Sequence, residues 1–121
     1  MYKVIWLTKF RADVDREEVR SWWKGHHAEL AAATPGMIRY VQNHWMAPLD
    51  RTTFLPTDGQ LPFDGHAEHC FKDREAYEVA MASDEWKRTV ADGPVGFDTT
   101  TLVGGVLMEH VVTWDAESDG N

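Results

Sequence analysis

A succession of segments whose hydrophobic period switches between that of a strand and that of a helix constrains this chain more than any single residue does. Residues 2–10 (YKVIWLTKF) are rich in β-branched and aromatic types and are expected to form a strand with apolar side chains on both faces. Asp15 with Glu18 three residues on resembles a capping box, and the helix it opens is expected to run to about Ala33, before Pro35-Gly36 stops it. Residues 36–47, with Met37, Ile38, Tyr40, Val41 and Trp45, have the composition of a second strand, and residues 66–72 that of a short third one. Asp73 then caps a helix whose apolar positions include Ala76, Tyr77, Ala80 and Met81. Ser83, three residues before Trp86, offers a fresh N-cap for a segment ending near Asp92-Gly93-Pro94. Residues 102–112 supply the last strand, with a bulge or bend expected at Gly104-Gly105.

The order is β-α-β-β-α-β, which predicts an α+β, ferredoxin-like fold: an antiparallel sheet with both helices on one face. The other face also needs cover, because residues of the first and last strands are apolar on both sides. A second copy is the simplest cover, so a homodimer is expected, its two sheets closing into a dimeric α+β barrel. Residues 48–65 contain three prolines, two glycines and no sustained period, and are expected to be a loop or flap at a site mouth. A single domain is expected over residues 1–114, followed by a flexible acidic tail, 115–121.

With 121 residues the chain can bury a substantial core in one domain. A formal net charge of -8 argues against a nucleic-acid partner, whose phosphates call for clustered Lys and Arg. One cysteine, Cys70, cannot form an internal disulfide, no apolar run is long enough to span a bilayer, and the first residues lack signal-peptide shape. A cytoplasmic protein with no membrane partner is expected. Six tryptophans supply flat apolar surface suited to a core or a ring-binding pocket.

Chemistry-bearing residues concentrate in the first helix and the third strand. At about 100° per residue from Val19, Trp23 falls at about 40°, His26 at about 340° and His27 at about 80°, so regular periodicity places His26 nearer the centre of the apolar stripe. On the third strand, alternation separates His69 and Phe71 from His66, Glu68 and Cys70. Phe71 precedes a helix and is expected to face the helices, and His69 with it. Tyr40 and His44 share a face of the second strand. Such a group of imidazoles and a phenol can move protons near neutral pH without a cofactor. A metal site is disfavoured because His66 and His69 diverge across the strand and His26 and His27 diverge around the helix. Cys70 has the character of a small buried hydrophobe, and Glu68 and Glu109 that of cross-strand or interface partners. No phosphate loop or dinucleotide fingerprint is present.

Two stretches resemble a known family. Trp23-Lys-Gly-His26-His27-Ala-Glu-Leu30 with Pro35-Gly36-Met-Ile-Arg-Tyr40-Val-Gln-Asn43, and Asp64-Gly65-His66-Ala67-Glu68-His69-Cys70-Phe71 before Ala82-Ser83-Asp84-Glu85, are similar to the signature of the EthD family of the dimeric α+β barrel superfamily. The resemblance implies a ferredoxin-like fold and a homodimer, and it selects His27 rather than His26 as the working histidine. Among relatives with assigned chemistry it is nearest to methylmuconolactone isomerases, which use no metal or organic cofactor. Carried over, the catalytic positions would be His27, Tyr40 and His69, although those isomerases have a cysteine at the last position and this chain has its cysteine one residue later.

The combined expectation is a cofactor-independent isomerase, cyclase or dehydratase acting on a small lactone, aromatic acid or polyketide-type molecule. His26, Trp22, Trp23, His44, Trp45, Glu68 and Trp86 are expected to contact substrate. A non-catalytic accessory protein binding hydrophobic ligands and an α+β barrel monooxygenase are the alternatives.

Overall fold

The computed structural model describes residues 1–114; the tail expected at 115–121 lies outside them. Four strands, β1 (Tyr2–Thr8), β2 (Met37–His44), β3 (Gly65–Phe71) and β4 (Val103–Leu107), form one antiparallel sheet in the order β2-β3-β1-β4. Its inner face is covered by two helical arms. The first comprises α1 (Arg16–Trp22), a π-helical turn (Trp23–His27) and α2 (Ala28–Ala32); the second comprises α3 (Arg74–Met81) and α4 (Asp84–Asp92). The α+β, ferredoxin-like expectation is met.

Local signals fix the helix starts. The carboxylates of Asp15 and Asp73 accept from the backbone N–H of Glu18 and Ala76, and the Ser83 hydroxyl accepts from that of Trp86. Gly36, at φ 79°, takes the chain from the first helical arm into β2 through a conformation that a side chain would strain. β1 ends at Thr8, short of the expected residue 10, because Asp64 captures the chain there. Its backbone N–H donates to the Thr8 carbonyl at 2.8 Å, and its carboxylate accepts from the Phe10 N–H at 2.7 Å.

The π turn overrides the phase expected of a regular helix. An i→i+5 turn is one residue wider than an α turn, so a residue four positions on falls back almost over its predecessor. Val19, Trp23, His27 and Ala31, spaced by four, are accordingly all buried. His26, expected at the centre of the stripe, points outward with 64% of its side chain exposed.

The expected bulge at Gly104-Gly105 is absent, and pairing of β1 with β4 runs unbroken from Leu7↔Val103 to Lys3↔Leu107. Gly104 has another use: a Cβ there would stand 2.6 Å from the Trp6 ring, so its absence lets the indole lie flat across β4. The sheet irregularity lies in β2, between Met37 and Arg39. Phe10, Val19, Trp23, Ala67 and Phe97 form the hydrophobic core at one end of the space between sheet and helices.

Candidate active site

A cavity of about 410 Å³ occupies the remaining space between the inner sheet face and the helices. Trp6, Tyr40, Ala67 and His69 rise from the sheet, Trp23, His27 and Ala31 descend from the first helical arm, and α4 contributes Trp86, Thr89 and Val90. The segment after α4 closes one side with Pro94, Phe97 and Leu102.

His27 is the most elaborately held of these groups. Its Nδ1 lies 3.0 Å from Asp92 Oδ2, an oxygen that also accepts from the Trp22 indole N–H at 3.0 Å. The imidazole packs under Trp22, with centroids 4.7 Å apart, and edge-on against Phe97. Nδ1 is therefore the tethered nitrogen, and Nε2 is left for a molecule in the cavity. Burial pushes the His27 pKa below its ordinary value, the Asp92 carboxylate pulls it partly back, and His26 adds a smaller lowering. A neutral imidazole backed by a carboxylate is an effective proton acceptor near neutral pH.

His69 and Tyr40 stand directly opposite each other on β3 and β2, as the strand register requires. Their rings meet edge to face at 5.1 Å, and Trp86 covers the other side of His69 at 5.5 Å. Burial, reinforced by His27, holds the His69 pKa down at about 4, so the ring is neutral over the physiological range. Neither ring nitrogen has a hydrogen-bond partner among the described residues. The Tyr40 oxygen accepts from the Gln42 side-chain amide at 2.9 Å, which leaves the phenolic proton free to be donated. The same amide nitrogen donates to the Trp23 carbonyl at 2.7 Å, joining β2 to the π turn. Burial raises the Tyr40 pKa, with side-chain hydrogen bonds from Gln42 and Trp23 opposing, so the phenol is a neutral donor.

The structure thus gathers His27, His69, Tyr40, Trp23 and Trp86 around one cavity and separates the other expected contacts from it. His26 lies outside, 3.6 Å from Asp92. Trp22 sits behind His27. His44 faces inward but is stacked on Trp23 at 4.1 Å, hydrogen-bonded to Gln42 at 2.8 Å, with its Nδ1 buried and unpartnered among the described residues. Trp45 and Glu68 are displaced for a different reason: strand alternation puts Glu68 on the outer face, and Trp45 donates to His66 there at 3.0 Å. Glu68 pairs with Lys3 at 2.8 Å and accepts from Asn43 at 2.9 Å, and the Lys3 ammonium holds its pKa below the usual range. Lys3 also meets Glu109 at 2.7 Å. Cys70 is wholly buried. The loop expected as a flap lies elsewhere too: none of residues 48–65 lines the cavity, and part of the loop borders Lys9, Arg16 and Arg20 near the start of α1. A long loop shows in sequence, but the surface it packs on does not.

Asp92 is the functional candidate that sequence reasoning missed. Asp92-Gly93-Pro94 carries an evident helix stop, and that reading hid the carboxylate's approach to a helix 65 residues earlier. Gln42, overlooked as well, could have been found by asking what shares a strand face with Tyr40 two residues away. Among the described residues no group of three or more His, Cys, Asp or Glu side chains converges as a metal site.

The EthD domain model matches residues 11–100. The chain belongs to the EthD family. An EthD family protein from Bacillus halodurans superposes with a TM-score of 0.72 at 22% identity, over 91% of this chain and 100% of that one. A dimeric protein with a ferredoxin-like fold from Bacteroides fragilis matches with a TM-score of 0.61 at 16% identity, over 88% of this chain and 93% of its own. SnoaB, a cofactor-independent oxygenase from Streptomyces nogalater, matches with a TM-score of 0.57 at 14% identity, over 91% of this chain and 95% of its own. These structural likenesses extend the EthD assignment at the level of fold. No protein of curated function matches the sequence.

Proposed function

We propose that this EthD protein is a cofactor-independent acid-base enzyme that isomerises, cyclises or dehydrates a small carbonyl compound of lactone or polyketide type. The observation that carries the reading is the His27–Asp92 pair facing a ring-lined cavity that also holds an unpartnered His69 and a proton-donating Tyr40. His27 Nε2 takes a proton from carbon next to the substrate carbonyl, and the electron pair of that C–H bond moves into the enolate. Asp92 stabilises the imidazolium that results, and Tyr40 donates to the enolate oxygen. Return of the proton to another carbon is an isomerisation; loss of hydroxide as water is a dehydration. His69, neutral at pH 7, serves as a hydrogen-bond acceptor or second base.

A homodimer belongs to this proposal. It is supported by Ile5, Leu7, Val41 and Val103 on the outer sheet face and by the dimeric matched protein. A cytoplasmic location belongs to it as well; no helix among the described residues is long and apolar enough to cross a membrane. SnoaB supports a second reading in which the same deprotonated substrate reacts with oxygen.

Exchange of the α-protons of β-tetralone for solvent deuterium, followed by proton NMR, tests the chemistry on a simple enolisable ring. The protein should accelerate exchange, and His27→Ala or His69→Ala should slow it. Equal rates for the protein and both variants overturn the acid-base reading, and oxygen uptake by a turned-over substrate replaces it with the oxygenase one.

A further inference from the structure

The cavity contains oriented hydrogen-bonding groups but, among the described residues, no cationic side chain. Among the described residues no Lys or Arg lines it, and the full charge behind the His27 imidazole is the Asp92 carboxylate, which would repel an anion. Two of its hydroxyls are already directed at the backbone: Thr8 donates to the Gly65 carbonyl at 3.3 Å and Thr89 to the Glu85 carbonyl at 3.1 Å. Burial keeps both imidazoles uncharged as well. A carboxylate or phosphate entering this space would lose its hydration with no counter-ion to replace it.

The shape is equally specific. Trp6, Trp23, Trp86 and Phe97 give the walls flat surfaces, and Gly104 and Gly65 hold two of those indoles tight against the sheet by lacking a Cβ. Such walls favour a planar ring system of similar thickness over a branched aliphatic chain.

We propose that the site takes uncharged, planar ring compounds carrying a carbonyl or phenol oxygen and rejects their carboxylated or phosphorylated counterparts. This deepens the acid-base reading by naming its substrate class, and it rests on that reading only in taking this cavity as the place of chemistry. Of the substrate types expected from sequence, it retains the lactone and the polyketide-type ketone and discards the aromatic acid.

Isothermal titration calorimetry of the full chain at about pH 7 with β-naphthol and β-naphthoate, which share a ring and differ in charge, tests it. β-Naphthol should bind at least about tenfold more tightly, the scale expected for burying an unpaired charge. Equal affinities, tighter β-naphthoate, or no binding of either overturns the proposal. One variant separates charge from shape. Val90 lines the rim and is 57% exposed, so Val90→Lys adds a cation without disturbing the core. It should narrow the preference several-fold, and an unchanged preference would show that charge does not set the selection. Because binding is read without turnover, a protein that prefers β-naphthol yet fails to exchange β-tetralone loses the acid-base reading and keeps this one. The converse result loses only the substrate class.

Discussion

Strand β3 carries one imidazole toward each side of the sheet, and the two have opposite surroundings. On the outer face, His66 accepts from Trp45 and lies 4.0 Å from Glu68, which is itself held by Lys3 and Asn43. On the inner face, His69 is more deeply buried, is ringed by Tyr40 and Trp86, and has no hydrogen-bond partner among the described residues. Buried polar groups in folded proteins are nearly always paired, since leaving one unpaired costs roughly 1–3 kcal/mol. The outer imidazole follows that rule, whereas His69 has the cavity beside it in place of a partner. The contrast teaches that open hydrogen-bonding capacity marks a candidate site only where a cavity adjoins it: His44 Nδ1 is unpartnered as well, among the described residues, but does not line the cavity.

The largest effect that could break this contrast is loss of the tethered base. His27→Gln should lower the rate of β-tetralone exchange by about 10²- to 10⁴-fold, the usual contribution of a positioned general base. A rate within a factor of two of the parent would remove the inner face's claim to chemistry.

Acid stability separates the two faces next. For His69, with a folded pKa near 4 against 6.5 when unfolded, the unfolded chain binds the extra proton first as pH falls. Its contribution is therefore present above pH 6.5 and lost progressively down to about 4, amounting to about 3 kcal/mol. Urea unfolding of His69→Phe across that range should lack this part of the decline. A slope identical to the parent's would mean that His69 is hydrated rather than dry.

Asp92→Asn should slow exchange by roughly tenfold to a hundredfold, the scale of one lost hydrogen bond to a charged group. The variant also has a signature that mere loosening would lack. Since the carboxylate raises the His27 pKa against the pull of burial, removing it should shift the acidic limb of the rate profile to lower pH. The smallest effect belongs to the outer face. Lys3→Met removes the cation shared by the part-buried Glu68 and by Glu109 and should lower stability in urea unfolding, with exchange unaltered.

The fold was legible in the sequence because each segment announced its period and its caps: Asp15, Asp73 and Ser83 all cap the helices they were expected to cap. Half of the candidate site was legible for the same reason, since strand alternation alone sends His69 inward with Phe71; the same alternation puts Glu68 on the outer face, against the expectation that it contacts substrate. The helix half was legible only through the family resemblance, which selects His27, and not through periodicity. Regular 100° steps choose His26, and only the four-residue spacing of Val19, Trp23, His27 and Ala31 betrays that the steps change. Asp92 was hidden more deeply, because its partnership joins two helices and no local pattern encodes that approach.

The π turn has a further consequence for how this chain is set beside others. Remove one residue between Trp23 and His27, and ordinary α steps from Val19 return His27 to about 340° and Ala31 to about 20°, the same face they occupy now. Gly25 lies within that turn, and a Cβ there would meet nothing within 4 Å, so the turn does not depend on the glycine for space. A relative with a regular first helix should therefore carry its inward histidine three residues after the aromatic, and an ungapped alignment would match it to His26. Corresponding residues in this helix have to be aligned across a gap of one.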